Sequence, residues 1–353
     1  MTTVDHAVLA PDGPALRTPR LSPLVALAGV AGALAGTVLV FALTPFAGRA
    51  ELLIVAALAV VGTVTAMSWR IEGRRKAVNR VVTLGATTAF VLALIPLGAV
   101  LAYTASRGLK RFSGNFLSHS MAGIGPLDKG GGAYHAIIGT LEQVGLATCI
   151  ALPLGLLVAV YITEYGRGRL ARSLRFFIDV MTGVPSIVAG LFIFAFWVLA
   201  LHQGFSGFAA ALSLAILMLP VIVRTAEEMI RLVPATLREA SYALGVPKWR
   251  TIVSIVLPTA LTGITTGVLL AVARVTGETA PLLLTASGNS FIHTNPFSGP
   301  QNALPLFVFQ QTGSAFDVAV DRAWAGALTL IGIVVLLYVT ARLLTRRNTL
   351  ARR

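Results

Sequence analysis

The sequence predicts an all-helical integral membrane protein. Two observations carry this reading. The chain is 56% hydrophobic and only 12% charged, where a soluble domain carries about a quarter of charged residues. Its mean hydropathy is +0.82 over 353 residues, which points to lipid rather than water as the main solvent. A span needs about 20 mainly apolar residues. Eight windows qualify: 24–46, 52–69, 81–104, 135–162, 176–201, 207–223, 258–281 and 323–341.

The first window follows a short segment with Asp5, Asp12, Arg17 and Arg20. A secretory leader has a similar layout, but this apolar run is longer than a leader's and lacks a small-x-small cleavage site, so it is read as a retained helix. Eight spans put both termini on one side. Segments 1–21, 70–80, 163–175, 224–257 and 342–353 hold 21 arginines and lysines, against 6 in 47–51, 105–134, 202–206 and 286–322. The first set is therefore expected in the cytoplasm. The net charge of +14 then sets orientation, and no nucleic-acid partner is needed to explain it. The loops 105–134 and 286–322 are too poor in apolar residues to form domains.

The single cysteine, Cys149, sits in an apolar run. It excludes a disulfide framework and is expected to be a small buried side chain. His119, His135, His202 and His293 lie in or beside outer loops without ligand spacing, so no metal site is expected. Trp69, Trp197 and Trp324 fall near span ends, as an interfacial belt places them. There is no phosphate-binding loop of the G-x-x-x-x-G-K-[ST] kind, so nucleotide chemistry would have to come from another chain.

The loop before the seventh span, 227–258, carries most information. Thr236 followed by Glu239 reads as a capping box opening a helix, and Gly245 with Pro247 reads as its stop. A helix of about two turns is too short to stand alone. Leu237, Ala240 and Leu244 share one face, flanked by the small Ser241, so the element must dock on something. A linker helix packed on its own membrane domain is the alternative.

These residues resemble a known family. Glu239-Ala240-Ser241, three residues, Gly245, nine residues and Ile255-Val256-Leu257-Pro258 match the EAA loop of ABC-importer permeases, with serine in place of the second alanine. Gly183-Val-Pro-Ser-Ile-Val-Ala-Gly-Leu191, Gly277-Glu-Thr-Ala-Pro-Leu-Leu-Leu284, Asn302-Ala-Leu-Pro305, Ile138-Gly-Thr-Leu141 and Tyr161-Ile-Thr-Glu-Tyr165 look like the phosphate permease of the PstA type. The similar PstC type shares some of these elements, but the Ala-Pro-Leu after Glu278-Thr279 favours the A type. The similarity covers roughly 80–345.

The resemblance implies the transmembrane domain of a type I ABC importer, with a six-helix core plus two extra N-terminal helices. It divides the chain into 1–80, with a cytoplasmic tail and two added helices; 81–345, the permease domain; and 346–353, a basic tail. It implies a subunit without enzymatic activity or cofactor of its own, in the plasma membrane of a prokaryote. Thr236, Glu239, Ala240, Ser241, Leu244 and Gly245 would form the coupling helix. The implied partners are a second permease of the PstC type, two ATPases of the PstB type that bind ATP and magnesium, and an external phosphate-binding protein of the PstS type. The same machine for sulfate or molybdate, and an ATP-independent secondary transporter, are the rival readings.

Four ionisable residues lie well within the windows: Glu142, Asp179, Arg274 and Glu278. An intramembrane charge is a functional candidate by default. Arg274 and Glu278 are four apart and are expected on one helix face. Thr276, Gly277 and Pro281 permit a break that opens backbone groups to a pathway. A guanidinium suits a phosphate anion, and a neighbouring carboxylate would temper its hold; a structural ion pair is the plain alternative. Glu142 either lines the route or makes a structural hydrogen bond. Asp179 is expected to cap or pair locally.

Overall fold

The computed structural model describes residues 21–43, 49–125 and 127–350. The leading segment with Arg17 and Arg20, the last residues of the first window (44–46) and Arg352-Arg353 of the basic tail lie outside them. The chain divides into two compact units, Met1–Val100 and Leu101–Arg353. Among the described residues the regular structure is helical, apart from one isolated bridge between Ser287 and Gln301.

In the first unit α1 (Pro23–Leu43) packs along α2 (Arg49–Glu72), and α3 (Arg74–Gly108) follows. The division between the units falls inside α3. Glu72 fastens the corner: it accepts from the Leu21 backbone N–H and the Ser68 hydroxyl, each at 2.8 Å, and pairs with Arg80 at 2.8 Å.

The second unit continues with the short α4 (Gly114–Ser118), then α5 (Tyr134–Val160) ending in a π-helical turn, Tyr161–Tyr165. Then come α6 (Arg169–Thr182), α7 (Ser186–Ile193) with its π-helical extension Phe194–Ala200, and α8 (Gly207–Arg231). α9 (Ala235–Ala243) and α10 (Lys248–Thr251) precede α11 (Leu257–Thr276). The chain closes with α12 (Ala280–Thr285), α13 (Leu304–Thr312) and α14 (Asp317–Leu350).

The eight expected spans map onto seven long apolar helices and one bent pair. The window 176–201, read as one span, is not straight. α6 and α7 meet at 107°. Pro185 has no N–H to continue the helix and disfavours helical backbone at Val184, and it starts α7 with φ −59° and ψ 141°. The seventh span is displaced as well: its helix runs continuously from Lys248 to Thr276 and stops before Gly277.

α8 is the centre. It is 67% buried over its apolar stretch, while none of the other six long helices exceeds 28%, and α5, α6, α7, α11 and α12 all pack on it. One cluster gathers Leu214, Met218, Ile222, Val275 and Leu282, and a second Ile162, Ile178, Ile230, Val256 and Ile264. A third joins Phe116, Phe307 and Ala325. The outward surface remains rich in leucine, valine and phenylalanine, which suits lipid or another membrane chain.

Candidate functional site

The element expected to dock, α9, is built first by its ends. α9 starts at Ala235 behind Pro234, whose φ of −56° is already preset for the turn. Thr236 is thus the second helical residue, and no side chain caps the start. The expected Thr236–Glu239 capping box is not formed, because Pro234 takes the N-cap position and opens the helix two residues earlier. The far end is as expected. Gly245 has φ +75°, a backbone region that costs any residue with a Cβ. The Gly245 N–H bonds the Tyr242 carbonyl at 2.9 Å and the Val246 N–H bonds Ser241 at 3.2 Å, the paired bonds of a Schellman stop.

Between these ends the polarity is inverted relative to a soluble surface helix. The inward residues are polar and pinned. Ser241 is buried, with its hydroxyl 2.8 Å from that of Thr251. Arg238 donates from Nε and Nη2 to Glu164 Oε1 at 3.1 and 2.8 Å, and to the carbonyls of Val233 (2.6 Å) and Ile230 (2.9 Å). The outward residues are apolar: Leu237 and Ala240 are exposed, and Leu244 is 84% exposed. Glu239 is also exposed and makes no hydrogen bond or ion pair among the described residues.

The same end of the unit carries an ion network. Glu227, 4% exposed, is reached by Arg231 at 2.5 Å, Arg175 at 3.3 Å and Arg224 at 3.4 Å. Arg224 also pairs with Asp179 of α6, so that residue finds its partner on another helix rather than locally. The three guanidinium groups offset the cost of burying this carboxylate.

At the opposite end the motifs far apart in sequence become mutual contacts. A Cβ built on Gly139 would stand 1.9 Å from the Asn302 carbonyl oxygen, and one on Gly190 2.5 Å from Pro281 Cα, so only glycine allows these approaches. The Leu304 N–H donates to Thr140 Oγ1 at 2.8 Å. Gln301, buried, donates to Glu142 Oε2 at 2.5 Å and to the His293 carbonyl at 3.0 Å, and accepts from Gln143 at 3.0 Å. Glu142 therefore makes a hydrogen bond within the fold.

Arg274 is exposed on α11, and Glu278 is half-buried in the break beyond it. Because the helix ends at Thr276, their spacing does not place them on one helical face, and no ion pair joins them among the described residues. The break comes where Thr276, Gly277 and Pro281 permitted it. Thr276 is buried and donates to the Val272 carbonyl at 2.6 Å. It also lines a cavity of about 400 Å³ between α5, α11 and α14, with Thr148, Cys149 and Thr340. Cys149 is exposed, contrary to expectation, because the face of α5 that carries it turns away from α8.

Two buried polar residues had no signal in the apolar windows. Arg322, 1% exposed, was counted as an outer-loop cation. It instead fastens the segment before α5, donating to the Asp128 carbonyl at 2.8 Å and to Gln311 Oε1 at 3.4 Å. His135, 2% exposed, packs edge-on against Phe307 at 5.7 Å. An isolated Arg or His beside an apolar run reads as a loop residue, and only the fold turns it inward.

Comparison with known proteins places the chain. The family described as binding-protein-dependent transport system inner membrane component matches residues 151–349. A phosphate transport system permease protein, PstA 1, of Mycobacterium tuberculosis is 47% identical over 282 residues, covering 78% of this chain and 92% of the relative. The PstA of Yersinia pestis is 44% identical over 220 residues, covering 62% and 74%. The crystal structure of a bacterial ABC transporter involved in the import of the acidic polysaccharide alginate superposes with a TM-score of 0.50. It is 14% identical and covers 74% of this chain and 95% of that one, so it supports the fold alone. The chain belongs to the family of binding-protein-dependent transport system inner membrane components, as a homologue of the PstA permeases with the all-helical fold of a type I ABC-importer transmembrane domain.

Proposed function

We propose that this chain is the A-type membrane subunit of an ATP-driven importer of inorganic phosphate. The observation that carries the reading is the inverted polarity of α9: Arg238 and Ser241 are pinned inward while its leucines face outward. Held on its own domain by these bonds, the helix still turns an apolar face outward, which suits a protein partner. In this reading the partner is one of two PstB-type ATPases, which bind ATP and magnesium. A PstC-type permease completes the pathway, and a PstS-type protein delivers phosphate from outside. The excess of basic residues in the α9 loop and its companions supports a cytoplasmic position for that end and for both termini, in the plasma membrane of a prokaryote.

The chain itself contributes half of the route. Arg274, exposed on α11, supplies the positive partner that a phosphate needs in a low-dielectric passage. Glu278 in the break tempers its hold, Thr276 fixes the end of the helix, and Glu142 adds to the lining. ATP binding draws the coupling helices together and tilts the spans, and hydrolysis resets them. Co-purification tests the partnership: the tagged chain should bring down an ATP-hydrolysing subunit, and Leu244→Arg should lose it. Equal recovery from the variant would remove α9 as the contact.

A further inference from the structure

The motif Tyr161–Tyr165 belongs neither to the docking face nor to the pathway residues, yet two other elements grip it. The turn is π-helical: the Gly166 N–H bonds the Tyr161 carbonyl at 2.6 Å, five residues back. In an α-helix that N–H would bond Ile162 instead. The Ile162 carbonyl is thereby released, and Arg175 of α6 donates to it at 3.0 Å. Two residues on, Glu164 accepts both bonds from Arg238 of α9. Lys248 of α10 donates to the Glu164 carbonyl and lies 4.7 Å from the centre of the Tyr165 ring.

These bonds close a loop through four helices. Arg238 joins α9 to the end of α5 across 74 positions of sequence, and it also holds the last carbonyls around α8. Arg175 joins the end of α5 to α6 and reaches Glu227 on α8. α6 then leads into the bend at Gly183–Pro185. The Glu164 and Arg238 side chains are 8% and 18% exposed, so water screens their attraction little.

We infer that Glu164 is a positioning residue for transport, the link through which displacement of α9 reaches the α5 turn and the α6–α7 bend. The inference rests on the ATP-driven reading above. A tether of this kind transmits force because it is short, bidentate at one carboxylate oxygen and sheltered. Without it α9 is joined to the spans by chain connectivity, by the Arg238 bonds to the Ile230 and Val233 carbonyls at the end of α8, and by Ser241–Thr251 at the foot of the span that α9 precedes; none of these reaches the α5 turn.

The test uses the assembled complex with its ATPase and sister subunits in proteoliposomes, the external binding protein and labelled inorganic phosphate. Three forms are compared: wild type, Glu164→Gln, and Glu164→Gln with Arg238→Met, which leaves no orphaned charge. Phosphate moved per ATP hydrolysed should fall about tenfold in both variants, within the range of a coupling free energy between two sites. The yield of assembled complex should be lower in the single variant and recover in the double. A purely structural bridge predicts reduced yield with an unchanged ratio, and a wild-type ratio in either variant overturns the inference. If wild type itself shows no ATP-dependent phosphate uptake, the functional reading has failed before any substitution and the inference falls with it.

Discussion

Ser241 and Thr251 face each other hydroxyl to hydroxyl at 2.8 Å, both buried, across the turn that ends α9. The bond ties α9 to the foot of the span that follows it. Serine stands here where the EAA pattern has alanine, so the small size is kept and a bond is added. Ser241→Ala should lower stability by about 1 kcal/mol, the typical net contribution of one such bond. Ser241→Leu should be far worse, because a branched side chain cannot fit a closed seam. Thermal melts of the detergent-solubilised chain would show the order; equal melts for both variants would mean that α9 is not held by this contact.

Gly245 sets where α9 stops. Its φ of +75° costs a residue with a Cβ roughly 1–2 kcal/mol, and the strain falls on the Schellman bonds to Ser241 and Tyr242. Gly245→Asp should still insert in the membrane and lose ATP-driven uptake. Normal uptake by that variant would count against the docking role of α9.

The orientation can be read chemically. Cys149 is exposed and must first be replaced by serine to give a silent background. In intact cells an impermeant thiol reagent should then label Ser298→Cys and spare Ser173→Cys, both exposed positions. The reverse pattern would put α9 outside and end any contact with a cytoplasmic ATPase.

Much of the fold was legible because the bilayer imposes it. Span number follows from apolar length, and the stop at Gly245 follows from a glycine placed before Pro247. The α9 start was misread because a Thr and a Glu three residues apart fit a capping box, while Pro234, fixed in φ, begins the helix earlier. The bend at Gly183–Pro185 was hidden because a hydropathy window averages across it. The site divides in the same way. The outward Leu244 was visible as a helical stripe. Glu164–Arg238 was not, since only the fold brings positions 74 apart in sequence together. Arg322 was hidden for the same reason: no local pattern tells an arginine at a helix start that backbone carbonyls await it.

Arg274 and Glu278 are not paired with each other in the structure, and that sharpens their test. Arg274→Gln removes an exposed cation without stranding a partner carboxylate, so folding should persist while phosphate passage is lost. Arg274→Gln with Glu278→Gln should assemble normally and also fail to transport. Normal uptake by the double variant would remove Arg274 from the route.

The central claim is ATP-driven phosphate import through this chain, and uptake by the reconstituted complex tests it most directly. Proteoliposomes holding both permeases and the ATPase, supplied with the external binding protein, should accumulate labelled phosphate only when hydrolysable ATP is present on the α9 side. An excess of unlabelled phosphate should abolish accumulation, and an equal excess of sulfate or molybdate should leave it intact. Uptake that proceeds without ATP, or that sulfate or molybdate suppresses as fully as phosphate does, would contradict the account.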